Sequence, residues 1–304
     1  MNGSQKRGSE TKPTVLVGVD GSEDALRAAR WAAREAARRQ LPLRLVHAFS
    51  WVAQPDFDTL ARGEHYRNML LEQARQRLAT AAQAALELQP ELAVQQQLIV
   101  GYPAEVLADE ARRARLLVLG DRGLSRIEGV LVGSTAAAMA AHAVCPIVVV
   151  RGAELDDEAT RTLPVVVGVD DSPSSEAAIE FAFEAAAARG VPLVAVHAYA
   201  EPIADPMFAK VMDWDVIARD ESHRLSAHLA AWIEKFPELT VRQLPARDLP
   251  VHQLIGLSDA AQLVVVGSRG RGAIAGLLLG SVSNSLMHKS ACPVAVVRPN
   301  IGER

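Results

Sequence analysis

Two stretches of this sequence carry a spacing with chemical content. Gly120-Asp121-Arg122-Gly123 is followed, after nine residues, by Gly133-Ser134-Thr135; Gly267-Ser268-Arg269-Gly270 is followed at the same distance by Gly280-Ser281-Val282-Ser283. The shared pattern is G-x2-G-x9-G-(S/T). Glycine lets the main chain approach a ligand closely and adopt positive φ at little cost. A Gly-Ser pair that opens a helix presents free N–H groups and the positive end of the helix dipole, which favours a phosphate. The serine hydroxyl adds a donor, and Arg122 and Arg269 add positive charge. A loop that needs glycine only for turning could produce one copy. Recurrence at identical spacing, each time after an apolar strand and before a helix, favours a phosphate site. This is not a Walker A loop, because no Gly-Lys-(Ser/Thr) follows the glycines. Nor is it the dinucleotide fingerprint, which belongs after the first strand of its domain.

Two acids stand where such a loop needs a partner. Asp20 follows VLVGV and Asp170 follows VVVGV, and each precedes a serine by two positions. A carboxylate there can accept from an adenine amino group or a ribose hydroxyl, or it can cap the next helix. Ser22 and Ser172 already offer capping oxygens, which releases the aspartates. His47 and His197 lie in apolar strands and read as core histidines rather than bases. No His-x-x-His or Cys-x-x-Cys pair exists to hold a metal, so neither metal ligands nor catalytic residues are assigned. Asp121 is the carboxylate nearest the first loop, but Ser268 replaces it in the second, as a shared catalyst would not allow. The remaining charges along Arg27–Arg39 read as a solvated helix face.

The elements that position these residues come from a duplication. Asp20 and Asp170, Ser22 and Ser172, Pro42 and Pro192, and His47 and His197 are each 150 residues apart. Gly120 and Gly267, and Cys145 and Cys292, are 147 apart, so the second copy has lost about three residues in its middle. Within the first copy, strands are expected over Val15–Val19, Leu43–Ala48, Val94–Val100, Leu116–Gly120 and Ile147–Arg151. Helices are expected from Ser22 to about Arg39, over Tyr66–Glu87, after Pro103 and over Gly133–Ala143. Such alternation predicts an α/β fold with a parallel sheet covered by helices on both faces. Ligands bind these sheets at the carboxyl ends of the strands, where strand order reverses. The domain map is a tail over 1–12, a first domain over 13–151, a polar linker over 152–162 and a second domain over 163–300. The runs Ile147–Val150 and Val294–Val297 carry no gatekeeping charge, so they are expected to cover each other as an intramolecular two-fold pair.

Composition narrows the classes. The chain has 304 residues, 49% hydrophobic and 22% charged, with a net charge of −4. No apolar run reaches the roughly 18 residues of a membrane helix. The polar start, MNGSQKRGSETKP, lacks the apolar core of a secretory signal. Two cysteines make no disulfide framework, and a cytoplasmic location is expected. The negative charge argues against a nucleic-acid surface.

Taken in order, V-G-V-D-(G/D)-S, then (L/A)-V-H-A, then the glycine loop, then C-P-(I/V), closely resemble the universal stress proteins, in particular the tandem ATP-binding subclass of actinobacteria. The resemblance spans about residues 13–151 and 163–298. It implies two tandem Rossmann-like domains of the adenine nucleotide alpha hydrolase-like type, each a five-stranded parallel sheet. It also implies ATP, with or without magnesium, at the carboxyl edge. Carried over by position, the adenine set is Val19, Asp20 and Ala48, and Val169, Asp170 and Ala198. The phosphate and ribose set is Gly120, Arg122, Gly123, Gly133, Ser134 and Thr135 in the first copy. In the second it is Gly267, Arg269, Gly270, Gly280, Ser281, Val282 and Ser283.

Two departures stand out. The family's second hydroxyl is present as Ser283 but replaced by Ala136, and Gly101-Tyr-Pro103 faces Asp248-Leu-Pro250 across the copies. Both clefts are therefore expected to take ATP, the second slightly favoured. The resemblance implies a nucleotide-dependent regulator of stress response or growth arrest, with a homodimer as a candidate assembly. The alternative is a slow ATPase or a nucleotidyl-transfer enzyme.

Overall fold

Ten strands form one sheet in the order β3-β2-β1-β4-β5-β10-β9-β6-β7-β8. This is a computed structural model, and it describes residues 13–50, 60–123, 132–142, 144–152, 158–199, 213–271 and 279–299. The tail over 1–12, linker residues 153–157, Ala143 and residue 300 lie outside the described residues.

The first copy runs β1 (Thr14–Gly18), α1 (Glu23–Arg39), β2 (Leu43–Phe49), α2 (Leu60–Leu88), β3 (Val94–Val100), α3 (Pro103–Ala111), β4 (Ala114–Gly120), α4 (Ser134–His142) and β5 (Ile147–Val150). A short helix, α5 (Glu158–Arg161), sits in the linker. The second copy runs β6 (Val165–Gly168), α6 (Pro173–Arg189), β7 (Leu193–Ala198), α7 (Trp214–Lys235), β8 (Val241–Ala246), α8 (Pro250–Ser258), β9 (Leu263–Gly267), α9 (Ser281–Lys289) and β10 (Val294–Val297).

Within each copy every strand pairing is parallel. The central strands are apolar on both faces because helices cover both. One buried cluster lies under α1, α2, α6 and α7 and contains residues of both copies; a second lies under α3, α4, α8 and α9 and does the same. The core is therefore continuous across the duplication.

The copies meet where the edge argument places them. β5 and β10 pair antiparallel, with Val149 opposite Val294 and Ile147 opposite Val296. Two arginines then exchange across the pair. Arg151 donates to the carbonyl of Met287 at the end of α9, and Arg298 donates to that of Ala141 in α4. Each closes carbonyls that a helix C-terminus leaves unpaired. Gly152 leaves the first copy at φ +79, where a Cβ would stand 1.9 Å from the Ala291 carbonyl oxygen. The linker thus starts pinned to the second copy.

Two expectations need correction. α2 begins at Leu60, not near Tyr66. The charges along Arg27–Arg39 are not a solvated face: the Glu35 side chain is fully buried and that of Arg39 is 10% exposed. Glu35 accepts from Arg39 at 2.6 Å and from Arg189 of the second copy at 2.7 Å. Arg39 lies over the Phe181 ring and Arg189 over the Trp31 ring, a reciprocal exchange between positions related by the duplication. Guanidinium stacking on an aromatic face is what makes arginine suited to such an interface. Glu35 has no counterpart at the related position, which is Ala185; Glu35 joins both arginines, and Arg39 also pairs with Glu184 at 3.6 Å.

Candidate functional site

β1 lies between β2 and β4, and β6 between β7 and β9, so each copy reverses its strand order at the first strand. The C-terminal ends of those strands open into two clefts, as the switch-point argument requires.

The acid is placed by a short turn. Val19 N–H donates to Val46 at 2.8 Å, ending the β1 ladder, and Asp20 follows. One Asp20 oxygen, Oδ1, accepts from Ser22 N–H at 2.9 Å, while Ser22 Oγ caps α1 by accepting from Ala25 N–H at 3.1 Å. Asp170 and Ser172 repeat both contacts, at 2.9 Å and, to Ser175 N–H, 3.2 Å. The serine caps the helix and the aspartate holds the turn, so the second carboxylate oxygen points at the glycine loop. A Cβ on Gly123 would meet Asp20 Oδ2 at 2.7 Å, and one on Gly270 would meet Asp170 Oδ2 at 2.6 Å. Only glycine admits the acid at that distance.

The two ends of the loop close on each other. Gly133 N–H donates to Asp121 carbonyl oxygen at 2.8 Å, and Gly280 N–H to that of Ser268 at 2.8 Å. The described ends of each loop are therefore held together, and α4 and α9 start facing the cleft. The first-turn amides of these helices have no partner within the helix. Gly120 and Gly267 serve packing instead. A Cβ there would strike the backbone of Asp24 at 2.7 Å or of Ser174 at 2.9 Å, so glycine lets the first helix of each copy pack on the sheet. A Cβ on Gly133 would meet nothing closer than 3.7 Å, so packing does not demand glycine there.

The first cleft, about 550 Å³, is lined by Val19, Asp20, Ala48, Gly120, Arg122, Gly123, Gly133, Ser134 and Thr135, the full set singled out in that copy. The second, about 250 Å³, is lined by Val169, Asp170, Ala198, Gly267, Arg269, Gly270, Gly280, Ser281, Val282 and Ser283. Ser283 Oγ is buried within 3.0 Å of the Gly280 carbonyl and 3.2 Å of the Ser268 carbonyl, so this hydroxyl braces the loop.

Other lining residues are not singled out by the sequence. Pro103 with Leu107, and Pro250 with Leu254, form apolar floors from α3 and α8. Their common spacing of 147 is a usable signal. Arg77 and Gln73 reach the first cleft from α2, and no motif marks them. His47 Nδ1 donates to the Val19 carbonyl at 2.7 Å; burial, aided by Arg77, holds its pKa below the ordinary value against the pull of that bond and of Asp20. It fixes the strand end beside the acid, as a core histidine should. His197 repeats the bond to Val169 at 2.9 Å and adds Glu221 at 3.0 Å.

Asp121 lies outside the first cleft. It faces an adjoining depression with Arg27 and Arg151. Burial and then Asp24 push its carboxyl up, against Arg151, Arg27 and Arg122.

The duplication agrees with the comparisons. The model of the universal stress protein family matches residues 13–151 and again 162–298. The chain belongs to the universal stress protein family. A universal stress protein of Mycolicibacterium smegmatis is 36% identical over 301 residues, covering 96% of this chain and 99% of that one. A universal stress protein of Mycobacterium tuberculosis is 34% identical over 292 residues, covering 93% and 96%. The crystal structure of a universal stress protein from Archaeoglobus fulgidus superposes with a TM-score of 0.67 at 17% identity, covering 94% of this chain and 98% of that chain, and so shares the fold. Among the described residues no helix is long and apolar enough to cross a membrane, and no group of three or more metal-ligating side chains occurs.

Proposed function

We propose that this universal stress protein binds ATP in both clefts and acts as a nucleotide-dependent regulator of stress response or growth arrest in the cytoplasm. One observation carries the reading. In each cleft a carboxylate at the end of the first strand, a glycine loop with an arginine, and a helix N-terminus converge on one space. These are complementary ends for one ligand: an acceptor for a base or sugar donor, and donors for phosphate oxygens. Asp20 and Asp170 would hold the base and ribose beside Val19, Ala48, Val169 and Ala198. The amides that open α4 and α9, with Arg122 and Arg269, would hold the phosphates, and magnesium would offset part of their charge.

Binding without rapid turnover fits best. Asp20 is the only described carboxylate that lines the first cleft, and its Oδ1 is engaged in the turn. Asp121, whose carboxyl burial pushes up, faces away into the arginine-lined depression. Extraction of the purified chain should release ATP, and steady-state hydrolysis should stay far below the usual enzyme range of about 1–1000 per second. A nucleotide-free extract together with no ATP uptake on titration would overturn the reading.

A further inference from the structure

The two clefts are not equal, and one difference falls on a residue pair, Asp171 and Arg271, that the duplication did not preserve. In the second copy, three contacts tie the turn after β6 to the loop after β9. Arg271 N–H donates to Asp170 Oδ2 at 3.2 Å, the Arg271 guanidinium pairs with Asp171 at 2.8 Å, and Ser172 Oγ donates to the Arg269 carbonyl at 3.2 Å. In the first copy the positions of Asp171 and Arg271 hold Gly21 and Leu124, which cannot form an ion pair. The clefts also differ in volume: about 550 Å³ in the first and about 250 Å³ in the second. The former lies within the range of about 300–1,000 Å³ usual for small-molecule pockets, the latter beneath it.

A second difference is how the second arginine of each cleft is held: Arg77 with Arg122 lines the first and Arg271 with Arg269 the second, but Arg271 is paired with Asp171. Gly21 has φ +92, and its missing side chain leaves room for Arg77, whose Cδ lies 2.6 Å from a Cβ position there. Arg77 lines the first cleft. The matching residue of α7 is Arg224, one position before buried Leu225 as Arg77 is before buried Leu78. Arg224 is turned to Glu221 at 3.3 Å instead, and Glu221 is bound to His197.

We propose that the clefts are graded sites, resting on the ATP reading above: the open, Arg77-bearing first cleft fills first, and an Asp171–Arg271 latch holds the second shut until higher nucleotide concentration. Arg77 is then an affinity-determining residue of the first cleft alone. The latch is an exposed ion pair, so opening it costs little and the two affinities stay within reach of one regulatory range.

The test is calorimetric titration of the full chain with Mg-ATP. Gly280→Glu isolates the first cleft and Gly133→Glu the second. The isolated first cleft should bind more tightly. Asp171→Gly should raise the second cleft's affinity by about twofold to fivefold, the worth of an exposed pair, and leave the first unchanged. Asp171→Asn, which keeps the size of the side chain and removes its charge, should do the same and guards against a folding defect in Asp171→Gly. Arg77→Ala should weaken only the first cleft, by about fivefold or more. Equal affinities for the isolated clefts, a tighter second cleft, or no gain at the second cleft from either latch variant would overturn the grading while leaving the ATP reading standing. Absence of ATP uptake at both clefts would instead overturn the ATP reading, and the grading with it.

Discussion

The Oδ2 oxygen of Asp20 stands 2.7 Å from the point where a Cβ on Gly123 would lie. Gly123→Ala should therefore displace the carboxylate rather than unfold the domain, since the clash is with a side-chain end. The expected result is a loss of about tenfold in first-cleft nucleotide affinity, the scale of one misplaced hydrogen bond, with a near-wild-type thermal midpoint. Titration beside differential scanning calorimetry checks both halves.

Glu35 is the one carboxylate that pairs with both stacked arginines, Arg39 and Arg189, at the junction of the copies. Glu35→Ala leaves Arg189, whose side chain is 2% exposed, without its acid partner. Removing one member of a buried pair costs about 3–5 kcal/mol. Denaturant unfolding should show that loss. Ala185→Glu in the same chain should restore part of it, because position 185 is the duplicate of position 35 in a junction where Arg39 and Arg189 exchange.

The same residue sets an acid limit. Burial pushes the Glu35 carboxyl up, but Arg189, Arg39 and Arg38 together outweigh burial and hold it below its ordinary value of 4.5. A folded value below the unfolded one means that the stabilisation is fully present above about 4.5 and is lost as pH falls through the folded value. Unfolding midpoints should drop from about pH 5 downward, and Glu35→Gln should flatten that slope.

Cys145 and Cys292 are both buried, and burial pushes each thiol up to about 12. Thiolate is the reactive form, so native protein should label slowly with a thiol reagent at neutral pH. Labelling of both should follow global unfolding in denaturant; fast labelling of folded protein would contradict the packing.

Much of this is legible in the sequence because it is written twice. The strands at Val94–Val100 and near Leu116–Gly120, the caps Ser22 and Ser172, and the glycine-loop residues of the clefts follow from local patterns repeated at fixed spacing, whereas Val19, Ala48, Val169 and Ala198 follow only from the family resemblance. What stays hidden is non-local or unduplicated. The N-terminal end of α2 carries polar residues and Gly63, a pattern that reads as loop. Arg39 looks solvated on its own helix and is buried only because the second copy covers it. Arg77 and Arg271 act through a neighbour that periodicity does not name. Gly120 lines the cleft as its loop pattern implies, but its closest constraint is the backbone of α1, information that only the packing of helix on sheet contains.

The central claim is that each cleft holds one ATP. The most direct measurement is the stoichiometry of ATP binding to nucleotide-stripped protein, compared with the Gly133→Glu, Gly280→Glu double variant, in which a carboxylate stands at the N-terminus of α4 and of α9. The account predicts about two ATP per wild-type chain and none for the folded double variant. No binding by the wild type, or undiminished binding by the double variant, would contradict it.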